Sequence, residues 1–596
     1  MPTFDNNLIR AMAPELLLVA AACVLFLLGV SSKAGSRRLA PVIALLALLA
    51  TFVMQVMAAE PNATLADQYG TFRVFNFAAY IKLIAAGIGA MFVLLSWPTN
   101  REATGNSALD FGGDAGEFFG LMLLSIAGVM LLAGANDIIL LFLGIELASI
   151  PTYIMVSISR PLPVAQEAGV KYFFLGAMAA AVMLFGFSYL YGTTGTTSLY
   201  EMAGRFNASA MADRSMPVLT SWQQLAVVML VAGFAFKIAA VPLHFYAGDV
   251  YQGAATPVTA LLSFVPKTSG FVALIKLLFT VTGGAWAAPE FLQKLLWIMA
   301  VLTMTAGNVL GLLQFNVKRV LAYSSIAHSG YMLVGLTAMA VSGAASGGGG
   351  SAKHEALRGI LFYLASYGIM NVGAFGVLML LPARPVMSFR PGRSAALPAT
   401  SAETYEDLAG TGRRHVTLGL AMAVCCFSLI GLPLTVGFFG KLFLIKPALE
   451  AAEGPHRTMM IWLVVITMIN AAISAAYYLR IVGTMFLRPE PTDPNAEGEV
   501  PAAAATTLAD AGRPLPLFIA VGISTFGTLL FGTLPPATEV LLVKAETGSN
   551  LEDRTMTGFT AEDNEAAGDR APDAAVIAPA APSAGPSITT VPAAGR

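Results

Sequence analysis

The sequence predicts an all-α, polytopic membrane protein of about fourteen transmembrane helices, and three observations carry that prediction. Hydrophobic residues make up 56% of the 596 and charged residues only 12%, with a mean hydropathy of +0.72, far from an average soluble domain. Apolar windows recur along the whole chain, each long enough for a hydrocarbon core of about 30 Å. Ionisable residues stand inside several of those windows, where a charge costs about 2.5–3.5 kcal/mol even on the mildest scale and so usually faces a polar interior.

In chain order the windows fall at about 14–30, 39–58, 75–96, 116–134, 136–158, 166–191, 222–252, 254–282, 290–313, 319–342, 357–382, 415–446, 458–487 and 515–533. The fourth and fifth are nearly fused at Gly134-Ala135-Asn136. The first is the right length for a signal peptide. However, the residues before it include Asp5, Arg10 and Glu15 rather than a basic cluster, and no A-x-A site closes it. A net charge of −1 gives no reason to expect nucleic acid. Cys23, Cys425 and Cys426 lie in apolar segments without C-x-x-C spacing, against an iron–sulfur site or a disulfide framework. With the N-terminus outside, the inner loops hold more lysine and arginine than the outer ones, which also places the C-terminus outside.

Two windows are interrupted. The seventh breaks at Pro242, and the twelfth around Gly431-Leu432-Pro433 and Gly437. Each carries a lysine, Lys237 and Lys441. Broken helices in corresponding halves point to an inverted-repeat transporter with sites at the breaks, because freed backbone groups survive only inside protein or beside water. Outside the windows, Ser346–Ser351 has a flexible-loop composition, and 383–412 is a loop mixing Pro, Ala and Arg. Residues 545–596 are an Ala/Pro-rich acidic tail, expected to be disordered.

The ionisable residues make a chain of candidates. Glu146 has no counter-charge within a helical turn, so its partner must come from another helix. Asp137, at the start of that segment, reads as a capping or interfacial residue. Lys171, a few residues into its segment, is either a functional amine or a side chain that snorkels to the surface. Lys237 follows a long apolar run and stands just before the break, where freed carbonyls can solvate an ammonium. Lys267 follows Pro266, whose missing N–H kinks or bulges the helix and lets water approach. Lys276, nearer the outer end, reads as a snorkelling residue, and Lys82 is left unassigned. His244 and His328 are supporting candidates, since a lone histidine is often only hydrogen-bonded. Lys441 sits at the second break.

Phe142–Glu146, Lys171–Phe173, Phe236–Phe245, Asp249–Ala260, Asn316–Tyr331, Gly431–Pro433 and Gly437–Lys441 together resemble the antiporter-like membrane subunits of the NADH-quinone oxidoreductases (respiratory complex I), and among them the subunit N family. The resemblance covers about residues 10–535. Pro266, the glycine loop and the acidic tail depart from the family pattern. It implies an antiporter-like fold with two inverted five-helix repeats and interrupted helices 7 and 12. The expected organisation is a three-helix segment at 1–115, repeats at 116–282 and 283–488 with the loop 383–412, a last helix in 489–544, and the tail. It also implies a proton relay in which Glu146 pairs with Lys237, Lys171 lies near their junction, Lys267 is central, and His328 links it to Lys441, with His244 in support. NADH, FMN, iron–sulfur clusters and quinone are then expected in partner subunits, and no cofactor or metal in this chain. The expected neighbours are the antiporter-like subunit M and small membrane subunits such as K and J, in a bacterial plasma membrane.

The physics of such a relay requires a switchable lysine. A buried, unpaired lysine loses several pKa units, and an adjacent carboxylate restores the charged form. A multi-subunit cation/proton antiporter would use the same fold and residues without redox coupling, whereas a scaffold would make the ionisable chain dispensable.

Overall fold

The computed structural model describes residues 6–31, 34–57, 72, 76–97, 114–159, 163–213, 219–283, 287–342, 349–381, 386–390, 393–397, 402–451, 456–489 and 515–550. Its principal helices are α1 (Ala13–Gly29), α2 (Ala34–Met57), α3 (Asn76–Leu95), α4 (Ala115–Gly134), α5 (Ile138–Ile158), α6 (Pro163–Thr194), α7 (Ser221–Lys237), α8 (Ala247–Gly253) and α9 (Thr256–Thr282). They continue with α10 (Glu290–Leu312), α11 (Val317–Val341), α12 (Gly349–Leu380), α13 (Val416–Ile430), α14 (Val436–Glu450), α15 (Arg457–Leu487), α16 (Leu515–Thr533) and α17 (Pro535–Asn550).

Among the described residues ten helices are long and apolar enough to cross a membrane. The other four of the fourteen expected segments fall short for identifiable reasons. α1 has 17 residues, and α11 carries Lys318, Arg319, Ser324, Ser325, His328 and Ser329 among its apolar positions. The remaining two segments are interrupted, as α7/α8 and as α13/α14. The seventh ends at Lys237 itself, five residues before the proline expected to break it, and turns lead to Ala247. The twelfth stops at Ile430, where Gly431 takes the left-handed conformation (φ +89°), and resumes at Val436.

α9 is the axis of the bundle. Every residue in it is buried, as is 94% of the spanning part of α12, whereas only a third of α6, α15 and α16 is covered. That gradient is what a polytopic protein shows when lipid or neighbouring chains bathe its outer helices. Small residues set the tightest packings. A Cβ on Gly128 of α4 would lie 2.3 Å from the Ala148 nitrogen of α5, and one on Gly330 of α11 would lie 2.5 Å from the Met304 nitrogen of α10. Asp137 separates the nearly fused fourth and fifth segments by accepting the Ile139 and Leu140 amides at 2.8 and 3.3 Å, the expected cap.

Four local expectations change. The glycine loop lies partly outside the described residues, and Gly349, Gly350 and Ser351 already belong to α12. The loop 383–412 contains a two-stranded antiparallel hairpin, Val386–Arg390 with Arg393–Leu397, and the short helices Tyr405–Leu408 and Thr411–Arg414. Lys276 does not snorkel. It is buried and donates to the Ala135 carbonyl at 2.7 Å. Residues 545–550, expected to begin the disordered tail, belong to α17, and the tail beyond Asn550 lies outside the described residues.

Candidate functional site

The end of α7 brings Lys237 to face α5. Its ammonium donates to Glu146 Oε1 at 3.1 Å, Ser149 Oγ at 2.9 Å and Tyr153 Oη at 3.1 Å. Those three acceptors match the three N–H donors of an ammonium. Glu146, Ser149 and Tyr153 are spaced 0, 3 and 7 along α5, one face of a helix, a pattern in the sequence that charge alone does not reveal. The Lys237 side chain is 2% exposed and that of Glu146 16%, so the carboxylate is the more open partner.

A small cavity separates Lys237 from Lys267 and is lined by both, with Tyr172, Tyr246, Tyr251 and Pro266 also on its wall. Its space for water centres is about 10 Å³, close to the ~10–15 Å³ that one water needs. α9 remains one continuous helix through Pro266, and the cavity adjoins that proline. Lys267 donates to the Ser325 carbonyl and, at 2.7 Å, to Ser329 Oγ on α11. Ser329 passes its own hydrogen to the Ile238 carbonyl at 2.7 Å, the residue after Lys237 at the break. The central lysine and the first break are therefore joined through one hydroxyl.

Beyond Lys267 the contacts run through rings. Its Nζ lies 5.7 Å from the Tyr367 centroid, and Tyr367 lies 5.0 Å from the His328 ring. His328 Nδ1 bonds Tyr363 Oη at 2.5 Å and Nε2 bonds Tyr478 Oη at 3.1 Å. Tyr331, 5.6 Å from His328, lies with its centroid 4.6 Å from Lys441 Nζ. Lys441 donates to the carbonyls of Leu429 and Ile430 at 3.1 and 2.6 Å, two of the backbone acceptors that the end of α13 leaves without helical partners. Ser325, His328 and Ser329, at spacings 0, 3 and 4, present one face of α11 to this axis.

Glu146, Lys237, Lys267, His328 and Lys441 thus share one polar line. Two expected members stand apart. Lys171 is half-exposed and binds Glu167 at 2.8 Å and Asp249 at 3.1 Å, not the Glu146–Lys237 pair. Asp249 also holds Arg319 Nη1 at 2.7 Å, so Lys171 belongs to a charged cluster where α6, α8 and α11 meet. Tyr172, the next residue, is the one that reaches the cavity. His244 lies half-buried in the turns between α7 and α8. Among the described residues no group of three or more His, Cys, Asp or Glu is placed to hold a metal.

An apolar bundle with two broken spans, each with a buried lysine at its break, defines a polytopic membrane protein of the transporter class. Residues 135–474, more than half of the chain, match the family described as NADH:quinone oxidoreductase/Mrp antiporter, transmembrane, and the chain belongs to that family. It is 37% identical over 494 residues to NADH-quinone oxidoreductase subunit N of Myxococcus xanthus, covering 80% of this chain and 88% of that one. The subunit N of Trichlorobacter lovleyi is 38% identical over 418 residues, 70% of this chain and 74% of the relative. Among solved structures, a chain of respiratory complex I from Thermus thermophilus with bound aureothin superposes with a TM-score of 0.65 at 27% identity, over 89% of this chain and 99% of that one. A chain of the Mrp complex from a Dietzia species shares the fold at 19% identity, with a TM-score of 0.66 over 92% of this chain and 98% of its own.

Proposed function

We propose that this chain is the subunit-N-type proton-translocating membrane subunit of an NADH-quinone oxidoreductase, and that Glu146, Lys237, Lys267, His328 and Lys441 are its relay. The observation that carries the reading is the polar line itself: a carboxylate–lysine pair, a one-water cavity, a central lysine and a histidine–tyrosine cluster ending on a third lysine. NADH, FMN, iron–sulfur clusters and quinone belong to partner subunits in this reading, and this chain contributes transport. Subunit M and small membrane subunits such as K and J are its neighbours. The setting is a bacterial plasma membrane with both termini on the outer side. Residues 116–282 and 283–488 act as two inverted repeats, each supplying one break with a lysine at it, and the first also supplies the central Lys267.

The chain's residues perform the step as follows. With Glu146 in place, Lys237 holds three acceptors and stays an ammonium. When the Glu146 carboxylate swings away, the ammonium keeps only two neutral acceptors, and its proton moves through the cavity to Lys267. Ser329 holds the central amine against α11, and the His328 cluster hands the proton on towards Lys441. Lys171 and Asp249 hold α8 to α6 and thereby position the first break, and His244 supports that break from its turns.

The test is proton transport per electron in the assembled, reconstituted complex carrying Glu146→Ala or Lys237→Ala. Both variants are expected to assemble and lose the transport that passes through this chain. Normal pumping in both overturns the pair mechanism.

A further inference from the structure

A second ion pair is buried in the part of the bundle that precedes the family match. Lys82 of α3 lies 2.7 Å from Glu15 of α1, with side chains 1% and 4% exposed. Glu15 stands in the first turn of α1, where the positive end of the helix dipole favours a carboxylate, and the short helix Asn6–Ala11 precedes it. The Lys82 ammonium lies 4.8 Å from the Phe72 centroid. Phe72 pairs through its backbone with Ala135, whose carbonyl accepts Lys276 at 2.7 Å, and Lys276 lies 5.9 Å from the ring of Phe77 at the start of α3. Two buried amines and a buried carboxylate therefore lie near the start of α3, Lys82 over Phe72 and Lys276 over Phe77.

Their height in the bundle matters. Lys276 is six residues from the end of α9, about 9 Å at 1.5 Å per residue, whereas Lys267 is about 22 Å from that end. The Asp249 cluster lies at the opposite end, where it is half-exposed. A proton on the central lysine has a charged, open cluster on one side. On the other it has Lys276 and the Glu15–Lys82 pair. A buried ion pair is weak evidence for stability, because apolar residues of similar volume often replace one without loss. In a membrane interior an ionisable residue is first of all a candidate for ion transfer.

Resting on the proton-translocating reading above, we propose that Glu15 and Lys82, fed by Lys276, form the proton-transfer site between Lys267 and the end of the bundle where α1 and α3 begin. Lys276 stands nine residues from Lys267, on the opposite side of α9, so the proton passes around the helix by water to reach it. In the last step the Lys82 ammonium gives one proton to the Glu15 carboxylate: an N–H bond breaks, an O–H bond forms, and a neutral amine and carboxylic acid remain. Glu15 then releases that proton to water at the helix end.

Lys82→Arg keeps a cation opposite Glu15 but holds its proton, and the double variant Glu15→Gln with Lys82→Met removes both charges together. Each is measured in the reconstituted complex for yield and for protons moved per electron, beside Lys267→Met. The expected result is that both lose the same share of pumping as Lys267→Met, with the arginine variant assembled at normal yield. Normal pumping in either, while Lys267→Met loses its share, makes the pair structural and overturns the proposal. An arginine variant that fails to assemble beside a fully pumping double variant overturns it equally. Normal pumping in Lys267→Met itself refutes the relay instead.

Discussion

Replacing Lys267 by arginine and by methionine separates a group that passes a proton on from one that only holds the bundle together. Moving one proton against about 150 mV costs roughly 3.5 kcal/mol, so a relay lysine has to swing by about 2.5 pKa units at ~1.36 kcal/mol each. An arginine starts above about 12, and bringing it to neutrality near pH 7 takes about 5 units, roughly 7 kcal/mol. Lysine starts at about 10.4, so arginine lies at least about 1.6 units, roughly 2 kcal/mol, further from neutrality, which slows transfer through this chain by about 40-fold or more. Methionine has no proton to give. Its structural cost is small, because Ser329 still donates to the Ile238 carbonyl and still has the Ser325 carbonyl 3.3 Å away, so no buried group is stranded. Two lost hydrogen bonds in a site of similar volume amount to about 1–3 kcal/mol. Both variants are therefore expected to assemble and to lose the proton transport carried by this chain. The measurements are protons per electron in proteoliposomes and the yield of intact complex. An arginine variant that pumps normally, beside a methionine variant that assembles poorly, is the ordering of a structural bridge and refutes the relay.

Lys171→Met is expected to reduce pumping less than Lys237→Met, because Lys171 is one of two cations on Asp249 and its removal leaves Arg319 at 2.7 Å. Equal losses in parallel transport assays would return Lys171 to the relay itself. Gly437→Ala is expected to fail at assembly: the added Cβ would lie 1.9 Å from the Ser428 carbonyl oxygen, inside the packing that closes the second break. A normal yield of complex by native gel would show that α13 and α14 part without cost.

The ionisable residues were legible because a charge in an apolar window has no quiet explanation. Glu146 and Lys237 find each other as the resemblance implied, and Lys441 sits at its break. The hydroxyls were not legible as a set. Ser149, Tyr153, Ser325 and Ser329 are ordinary in a membrane helix, and only their helical spacing from Glu146 and His328 marks them. Lys171 misled because sequence distance from a surface says little about direction: its helix turns the amine to Asp249 and gives the cavity to Tyr172. Lys276 misled the other way and Lys82 gave no reading, since nothing local shows that Ala135 and Glu15, 141 and 67 residues away, supply their acceptors. Long-range partners are what a single sequence carries least.

The two breaks do the same task with different chemistry. An ammonium inside the bundle needs acceptors for its hydrogens, and a continuous helix offers few, since its carbonyls are already bonded; the Ser325 carbonyl that Lys267 shares is one of them. At the second break Lys441 takes the carbonyls of Leu429 and Ile430, with the face of Tyr331 beside it. Those acceptors are built into the backbone and stay where they are. At the first break Lys237 depends on side chains, and one of them, Glu146, presents a partly open carboxylate, the group that the proposed step moves. The field at Lys237 is thus adjustable by a single side-chain movement, while that at Lys441 is set by the chain's course. A pair of breaks that hold their amines by different acceptors gives the polar line two unlike ends.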